Sequence, residues 1–158
     1  MQLAVIEYCR NVIGWRDAST AEISKKSSRL VIDIMPEQKE ILDKENYGGT
    51  MRLGAYPAIL KQGSIAEKAY KTKKISERHR HRYEVSPEFI EQIEKAGIIF
   101  SGRSPDGRLM EIAELSQKIH PFFLGTQFHP ELKARPLHPH PLFSAFVSTC
   151  LKLKKQQL

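Results

Sequence analysis

Apolar residues at helical spacing predict a helix near each end of the chain. The first covers residues 2–13 and is followed by Gly14, a residue type that often ends helices. The last covers residues 142–155, and one of its sides is apolar. That side consists of Phe143, Phe146, Val147, Cys150 and Leu151. Two shorter helices are predicted at residues 64–71 and 88–96, the second preceded by a Ser-Pro start signal.

Shorter β-rich or alternating runs predict strands between these helices. They cover residues 30–34, 48–54, 78–85, 98–101, 109–115 and 122–128. Residues 15–29 and 37–47 are polar or charged and are predicted to form loops. The sequence Ser-Pro-Asp-Gly at residues 104–107 is a turn signal between two of the strands, so these two must pair antiparallel. The pattern therefore predicts a mixed α/β fold with an antiparallel part.

The composition is typical of one soluble globular domain, with 158 residues that are 41% hydrophobic and 27% charged. No apolar run is long enough to cross a membrane, and the N-terminal residues do not resemble a signal peptide. The two cysteines, Cys9 and Cys150, make neither a disulfide framework nor a metal-ligand set. We therefore expect a cytoplasmic protein without a membrane partner.

The net charge of +7 is spread over several lysine-rich segments and is expected mainly on the solvated surface. The densest basic segment runs from Arg78 to Arg82. A strand there would place three arginines on one face and His79 and His81 on the other. Such arginines suit a carboxylate or phosphate ligand. Nucleic acid is the weaker alternative, because no aromatic residues interleave. No metal site is predicted, because the histidine pair has no cysteine or third histidine at ligand spacing.

A candidate catalytic pair lies in the sequence Gln-Phe-His-Pro-Glu at residues 127–131. His129 and Glu131 follow an apolar strand, and ligands of open α/β sheets bind at the carboxyl ends of strands. A histidine beside a carboxylate can act as a general base, because the carboxylate fixes its tautomer and stabilises the imidazolium. A surface histidine followed by a helix-capping glutamate would have the same spacing, so both interpretations remain open.

A histidine base needs a nucleophile, and the sequence offers no evident one. Cys9 lies on the apolar face of the first predicted helix, and Cys150 lies on that of the last. Both are expected to be buried packing residues with unreactive thiols. The chain also contains no Gly-x-Ser-x-Gly elbow.

Three segments resemble, in order, signature sequences of the glutaminase domain of CTP synthases, a class I glutamine amidotransferase domain. They are Gly-Gly-Thr-Met-Arg-Leu-Gly at 48–54, Glu-Arg-His-Arg-His-Arg-Tyr-Glu-Val at 77–85, and the segment 127–131. The resemblance extends to about Val147. It implies an α/β fold of the class I glutamine amidotransferase type, which is a flavodoxin-like mixed sheet flanked by helices.

The same resemblance implies glutamine hydrolysis by a Cys-His-Glu triad. His129 matches the base and Glu131 its orienting carboxylate. Gln2, Glu22 and Arg82 match positions that hold L-glutamine; Glu22 suits the α-ammonium group and Arg82 the α-carboxylate. The residues around Glu22 depart from the family's Asn-Ser-Thr-Glu wording. Ammonia would pass to a synthetase domain of a homo-oligomeric parent, which uses ATP and Mg²⁺ to aminate UTP to CTP. No cofactor is expected in residues 1–158.

The nucleophile is the main departure from the family pattern. In the family, the first helix follows Gly-Ile-Cys-Leu-Gly-Met-Gln, and this chain begins at that methionine. We therefore expect residues 1–158 to form a partial domain that lacks the catalytic cysteine, the preceding strands and the synthetase domain. Alone, it is predicted to be inactive. The alternative is a non-catalytic binding or regulatory module that associates with another chain through exposed sheet edges and apolar surface.

Overall fold

The computed structural model describes residues 1–34 and 51–156. Within these ranges the helices are α1 (Gln2–Asn11), α2 (Ile65–Tyr70), α3 (Pro87–Lys95) and α4 (Pro141–Gln156), with a short 3₁₀ turn at Pro130–Leu132. The strands are β1 (Ala18–Thr20), β2 (Arg29–Asp33), β3 (Arg52–Leu60), β4 (Lys74–His81), β5 (Glu84–Val85), β6 (Ile99–Arg103), β7 (Met110–Glu114) and β8 (Leu124–Thr126). The loop predicted at 37–47 and the start of the strand predicted at 48–54 lie outside the described residues.

The described strands form two sheets. The smaller has the order β1-β2-β5, with β1 parallel and β5 antiparallel to β2. The larger has the order β4-β3-β6-β7-β8, and its neighbouring strands are all antiparallel. The predicted antiparallel pair is confirmed, because β6 and β7 pair on either side of the turn at residues 104–107.

One hydrophobic core lies between α1, α3 and strands of both sheets. Val5, Ile6 and Cys9 are buried together because their spacing places them on one side of a helix. That side of α1 packs on β1 and β2, where Val31 and Ile32 are fully buried. Further buried members of this core are Ala18, Val85, Ile93, Ile98, Phe100, Met110 and Ala113.

A second core lies between the larger sheet, α2 and the start of α4. It consists of Ala58, Leu60, Ala66, Ile75, Ile112, Phe128 and Leu142. Phe128 is buried and directly precedes His129. Burial of one such side chain contributes about 1.5–3 kcal/mol. The core therefore anchors the segment that carries the predicted base.

The end of α3 approaches α1 at a position that only glycine can occupy without strain. Gly97 has a φ of +122°, and a Cβ atom there would lie 2.8 Å from the hydroxyl oxygen of Tyr8. That hydroxyl donates a hydrogen bond of 2.6 Å to the carbonyl oxygen of Ala96. The absence of a side chain at Gly97 thus permits the close contact between the end of α3 and Tyr8 of α1.

The strand predicted at 78–85 is wrong in one respect, because the segment divides between the two sheets. β4 pairs with β3 in the larger sheet, and β5 pairs with β2 in the smaller one. Arg78 and Arg80 are exposed and His79 is buried, as the alternation predicted. Arg82 and Tyr83 form the crossing between the sheets, so Arg82 does not share a strand face with the other two arginines.

Two further predictions differ from the structure. The loop predicted at 15–29 contains the buried strand β1, which is too short to show a hydrophobic period. The apolar side of α4 is largely uncovered by the described residues: Phe146 is 49% exposed, Val147 54% and Leu151 57%. Among the helices of the described ranges, none has the length and apolar character needed to traverse a bilayer.

Candidate functional site

A cleft of about 560 Å³ opens beside the crossing from β4 to β5. It also receives residues from the start of α1, from the turn after β1 and from the segment after β8. Its lining residues are Met1, Gln2, Leu3, Glu22, Met51, Arg80, His81, Arg82, Tyr83, Thr126, Gln127 and His129. Four of the five predicted site residues therefore line one cleft, and the fifth, Glu131, contacts His129.

The segment after β8 fixes His129 through its backbone and its ring. The His129 N–H donates to the carbonyl oxygen of Arg78 on β4 at 2.9 Å. Nδ1 of His129 lies 2.8 Å from Oε1 of Glu131. A backbone N–H and the hydrogen bond from His129 hold the pKa of the Glu131 carboxyl below its usual range. An ionised Glu131 keeps the ring proton on Nδ1 and leaves Nε2 as the basic nitrogen.

The first turn of α1 brings Gln2 into the cleft. Its amide nitrogen donates to the carbonyl oxygen of Tyr83 at 3.0 Å and to Oε1 of Gln127 at 3.1 Å. The start of α1 lies so close to β8 that a Cβ atom at Gly125 would be 3.0 Å from Cα of Met1. A glycine in β8 thus permits the approach that places Gln2 beside Gln127.

Glu22 and Arg82 bring opposite charges to the cleft. Glu22 is an exposed residue in the turn after β1, where its backbone N–H donates to Oγ1 of Thr20 at 3.2 Å. Arg82 lies at the crossing between the sheets. A carboxylate and a guanidinium lining one cleft offer complementary partners to a zwitterionic ligand.

A buried polar network adjoins the cleft. Nη1 of Arg52 lies 2.9 Å from Oε1 of Glu111 and 3.2 Å from Oε1 of Glu84. All three side chains are nearly inaccessible, with exposures of 11%, 0% and 2% respectively. Nδ1 of His79 and Nε2 of His81 are 2.8 Å apart and share a hydrogen bond. The network reaches the cleft surface through His81.

Burial sets the protonation states of this network. Desolvation, aided by the positive charge of Arg52, lowers the pKa of His79 to about 3 and that of His81 to about 4. Both rings lie within ion-pair distance of carboxylates, at 3.6 Å from Glu111 and 3.4 Å from Glu84. They are nevertheless neutral near pH 7, because desolvation outweighs this attraction. Desolvation also raises the pKa of Glu84 to about 7, although the hydrogen bond from Gln127 and the charge of Arg52 oppose the shift.

His79, His81 and Glu111 could in principle hold a metal ion, since one ligand atom of each lies within 4.8 Å of the others. No sequence motif indicated this group, because Glu111 is distant from the histidines along the chain. The Arg52 guanidinium already supplies a positive charge 2.9 Å from Glu111 and would repel a second cation. The absence of a metal site therefore stays a prediction, which this charge favours.

Neither cysteine lines the cleft. Cys9 is fully buried in the first core, as predicted, and desolvation raises the pKa of its thiol to about 11. Cys150 is exposed on α4, so the prediction that it is a buried packing residue is wrong. It is exposed because the apolar side of α4 is not covered by other described elements.

Sequence reasoning missed the residues behind the cleft. Arg52 and Glu84 lie in the segments 48–54 and 77–85 that resemble the family's signature sequences, but the sequence predicted no function for either residue. Glu111 lies in β7, whose five residues are all buried. A glutamate between Met110 and Ile112 in such a strand is the signal that could have revealed the network, because buried carboxylates require partners.

Comparison with known proteins assigns the chain to a family. Residues 1–149 match the family described as glutamine amidotransferase class-I. Because the match covers almost the whole sequence, the chain belongs to the class I glutamine amidotransferase family.

Within that family the chain resembles CTP synthases. It is 54% identical over 151 residues to the CTP synthase of Rubrobacter xylanophilus, covering 96% of this chain and 26% of that protein. It is 52% identical over 156 residues to the CTP synthase of Archaeoglobus fulgidus, covering 99% of this chain and 28% of that protein. The chain thus spans about a quarter of the length of these relatives.

A solved structure supports the same assignment. The glutaminase domain of Trypanosoma brucei CTPS with bound acivicin matches with a TM-score of 0.84 and 38% identity. The match covers 96% of this chain and 57% of that chain. The predicted class I amidotransferase fold and the resemblance to the CTP synthase glutaminase domain are therefore confirmed.

Proposed function

We propose that this chain is the part of a CTP synthase glutaminase domain that binds L-glutamine and supplies the base for its hydrolysis. The observation that carries the proposal is the convergence of His129 with Gln2, Glu22 and Arg82 in one cleft. These residues come from four separate parts of the sequence. Together they offer a base, a positive charge for a carboxylate, and hydrogen-bond acceptors for an ammonium group.

Each group has a role that its chemistry suits. The guanidinium of Arg82 pairs with the α-carboxylate of L-glutamine. The carboxylate of Glu22 and the amide of Gln2 accept hydrogen bonds from the α-ammonium group. Nε2 of His129 takes the proton of the attacking nucleophile and returns it to the leaving ammonia, while Glu131 stabilises the imidazolium.

The nucleophile for this reaction comes, in our proposal, from residues that are not in this sequence. Cys9 is buried and its thiol has a raised pKa, and Cys150 lies on α4 and does not line the cleft. Residues 1–158 then act as a partial glutaminase domain without a cofactor of its own. The ammonia serves a synthetase domain of an oligomeric parent, which binds ATP and Mg²⁺ and aminates UTP to CTP. A cytoplasmic location is part of the same proposal.

An ammonia-release assay on the purified chain tests the assignment of the nucleophile. We expect no turnover of L-glutamine above that of a His129→Ala variant, because the covalent route needs a thiolate beside the base. The variants Cys9→Ala and Cys150→Ala serve as controls. Robust turnover that survives both substitutions would contradict the proposal that the nucleophile lies outside this sequence.

A second candidate function is a non-catalytic module that associates with another chain. The apolar side of α4 favours it, because Phe143, Phe146, Val147 and Leu151 are each more than 40% exposed. Clustered apolar exposure of this kind marks association surfaces. Size-exclusion chromatography with light scattering tests this candidate: self-association or aggregation supports it, and a sharply melting monomer counts against it.

A further inference from the structure

The hydrogen bonds around Gln2 determine which end of its amide faces the cleft. An amide NH₂ group has two hydrogens. Those of Gln2 go to the carbonyl oxygen of Tyr83 and to Oε1 of Gln127. No hydrogen bond to Oε1 of Gln2 comes from residues 1–34 or 51–156. The carbonyl oxygen is thus the part of this amide that remains for a ligand.

The orientation of Gln127 is fixed in turn by two acceptors. Its Nε2 donates to the carbonyl oxygen of Tyr83 at 3.0 Å and to Oε2 of Glu84 at 2.9 Å. A flipped Gln127 amide would direct its oxygen at these two oxygens, which is repulsive. Gln127 must therefore offer its oxygen to Gln2, so the polarity of one amide sets the polarity of the other.

Glu84 accepts hydrogen bonds through both of its carboxylate oxygens. One of its oxygens faces the Nη1 donor of Arg52 at 3.2 Å, and the other accepts from Gln127. A glutamine at position 84 has one oxygen and one NH₂ group. Since Arg52 can only donate, that oxygen would turn to Arg52 and the NH₂ group would face the NH₂ group of Gln127. A carboxylate avoids this conflict.

We propose that Glu84 and Gln127 are positioning residues that select for the α-ammonium group of the ligand by holding the Gln2 carbonyl oxygen toward the cleft. This rests on the proposed binding of L-glutamine. With the carboxylate of Glu22, the oxygen of Gln2 gives the cleft two acceptors for one ammonium group. Neither Glu84 nor Gln127 has to touch the ammonium group, since each acts through the amide next to it.

The test compares L-glutamine with 4-carbamoylbutanoate, which has the same chain and carboxylate but no α-amino group. Calorimetric or NMR titration of the full chain at pH 8, where Glu84 is mostly ionised, gives the ratio of the two affinities. We expect the wild type to prefer L-glutamine. In Glu84→Gln the preference should fall by about tenfold, the order expected for one hydrogen bond to a charged group. Thermal melts confirm that each variant is folded.

A control at the other buried carboxylate separates hydrogen-bond polarity from a general disturbance of the network. Glu111→Gln also changes a partner of Arg52, but the Glu111 side chain makes no hydrogen bond to the Gln127 amide among the described residues. We expect this control to keep a preference for L-glutamine close to that of the wild type.

The outcomes are distinguishable. A wild type that binds neither ligand overturns the proposed function and the selection role with it. A wild type that prefers L-glutamine, with the same preference in folded Glu84→Gln, overturns the selection role alone. A folded Glu111→Gln variant that loses the preference as strongly as Glu84→Gln also overturns it, because the loss would then reflect a general disturbance of the buried network rather than the direction of the hydrogen bonds.

Discussion

Replacement of Arg52 by methionine should destabilise the chain in a manner that depends on pH. The substitution retains an apolar stem of similar length but removes the positive charge beside Glu84 and Glu111. Both carboxyl groups are almost inaccessible to water, so water cannot replace the lost charge. Removing one partner of a buried ion pair typically costs about 3–5 kcal/mol, because the remaining charge is buried without compensation.

The pH dependence follows from Glu84. Its pKa is about 7, so at pH 6 the group is mostly protonated and needs little compensation. Above pH 7 the variant can avoid a bare buried carboxylate only by keeping the proton on Glu84. Retaining it costs about 1.4 kcal/mol for each pH unit. We therefore expect a loss in unfolding free energy of about 3 kcal/mol at pH 6 and about 1.4 kcal/mol more at pH 8.

Urea denaturation followed by circular dichroism at both pH values measures these losses. Arg80→Met is the matched control, because Arg80 is exposed on β4, and we expect it to cost less than about 0.5 kcal/mol at either pH. Adding Glu84→Gln to Arg52→Met should remove the extra loss at pH 8. If Arg52→Met does not fold, Arg52→Lys keeps the charge and should show a smaller loss. An Arg52→Met loss no larger than that of Arg80→Met, or one that is equal at pH 6 and 8, would show that Arg52 does not compensate the buried carboxylates.

Three further predictions follow. Gly107→Ala should lower the unfolding free energy by about 1–2 kcal/mol, because its φ is positive although a Cβ atom there meets no neighbouring atom. Gly97→Ala should lower it at least twice as much, because its Cβ atom would also clash with the Tyr8 hydroxyl, and equal losses in urea denaturation would contradict this. The folded-state pKa of His81 is about 4, against about 6.5 unfolded, so the unfolded state binds more protons and stability is lost as the pH falls between these values. His81→Gln should therefore lose less stability on acidification than wild type, by up to about 1.4 kcal/mol per pH unit, and parallel pH profiles would count against it. An Ellman's reagent assay should find Cys150 reactive and Cys9 protected until the chain unfolds, because Cys9 is buried with a pKa of about 11; equal native rates would argue otherwise.

The elements with a strong local period could be predicted from the sequence. The helical spacing of Ile6 and Cys9 indicated the buried side of α1, which the structure confirms, whereas Leu3 of the same apolar pattern is 71% exposed. The glycine-containing turn between β6 and β7 defined an antiparallel pair without knowledge of the rest of the chain. These features depend on neighbours within a few residues, which is why the pattern reveals them.

The site depends on contacts that no local pattern encodes. The crossing at Arg82 exists because β4 and β5 pair with different sheets, although the segment reads as one strand. Glu111 reaches Arg52 only because β7 and β3 both lie next to β6 in the larger sheet. The sequence indicated the His129–Glu131 pair and the family resemblance added the ligand-binding residues, but neither indicated the buried groups behind them, such as Arg52 and Glu84.

Titration of the isotopically labelled chain with L-glutamine shows directly whether the cleft binds this amino acid. We expect saturable NMR shifts at the cleft, including Gln127 and His129, and at least a tenfold weaker affinity in Arg82→Met, because the α-carboxylate loses its charged partner. Arg78→Met is the control, since Arg78 does not line the cleft, and it should bind like wild type. No saturable binding, or binding that Arg82→Met leaves unchanged, would contradict the proposed binding of L-glutamine in this cleft.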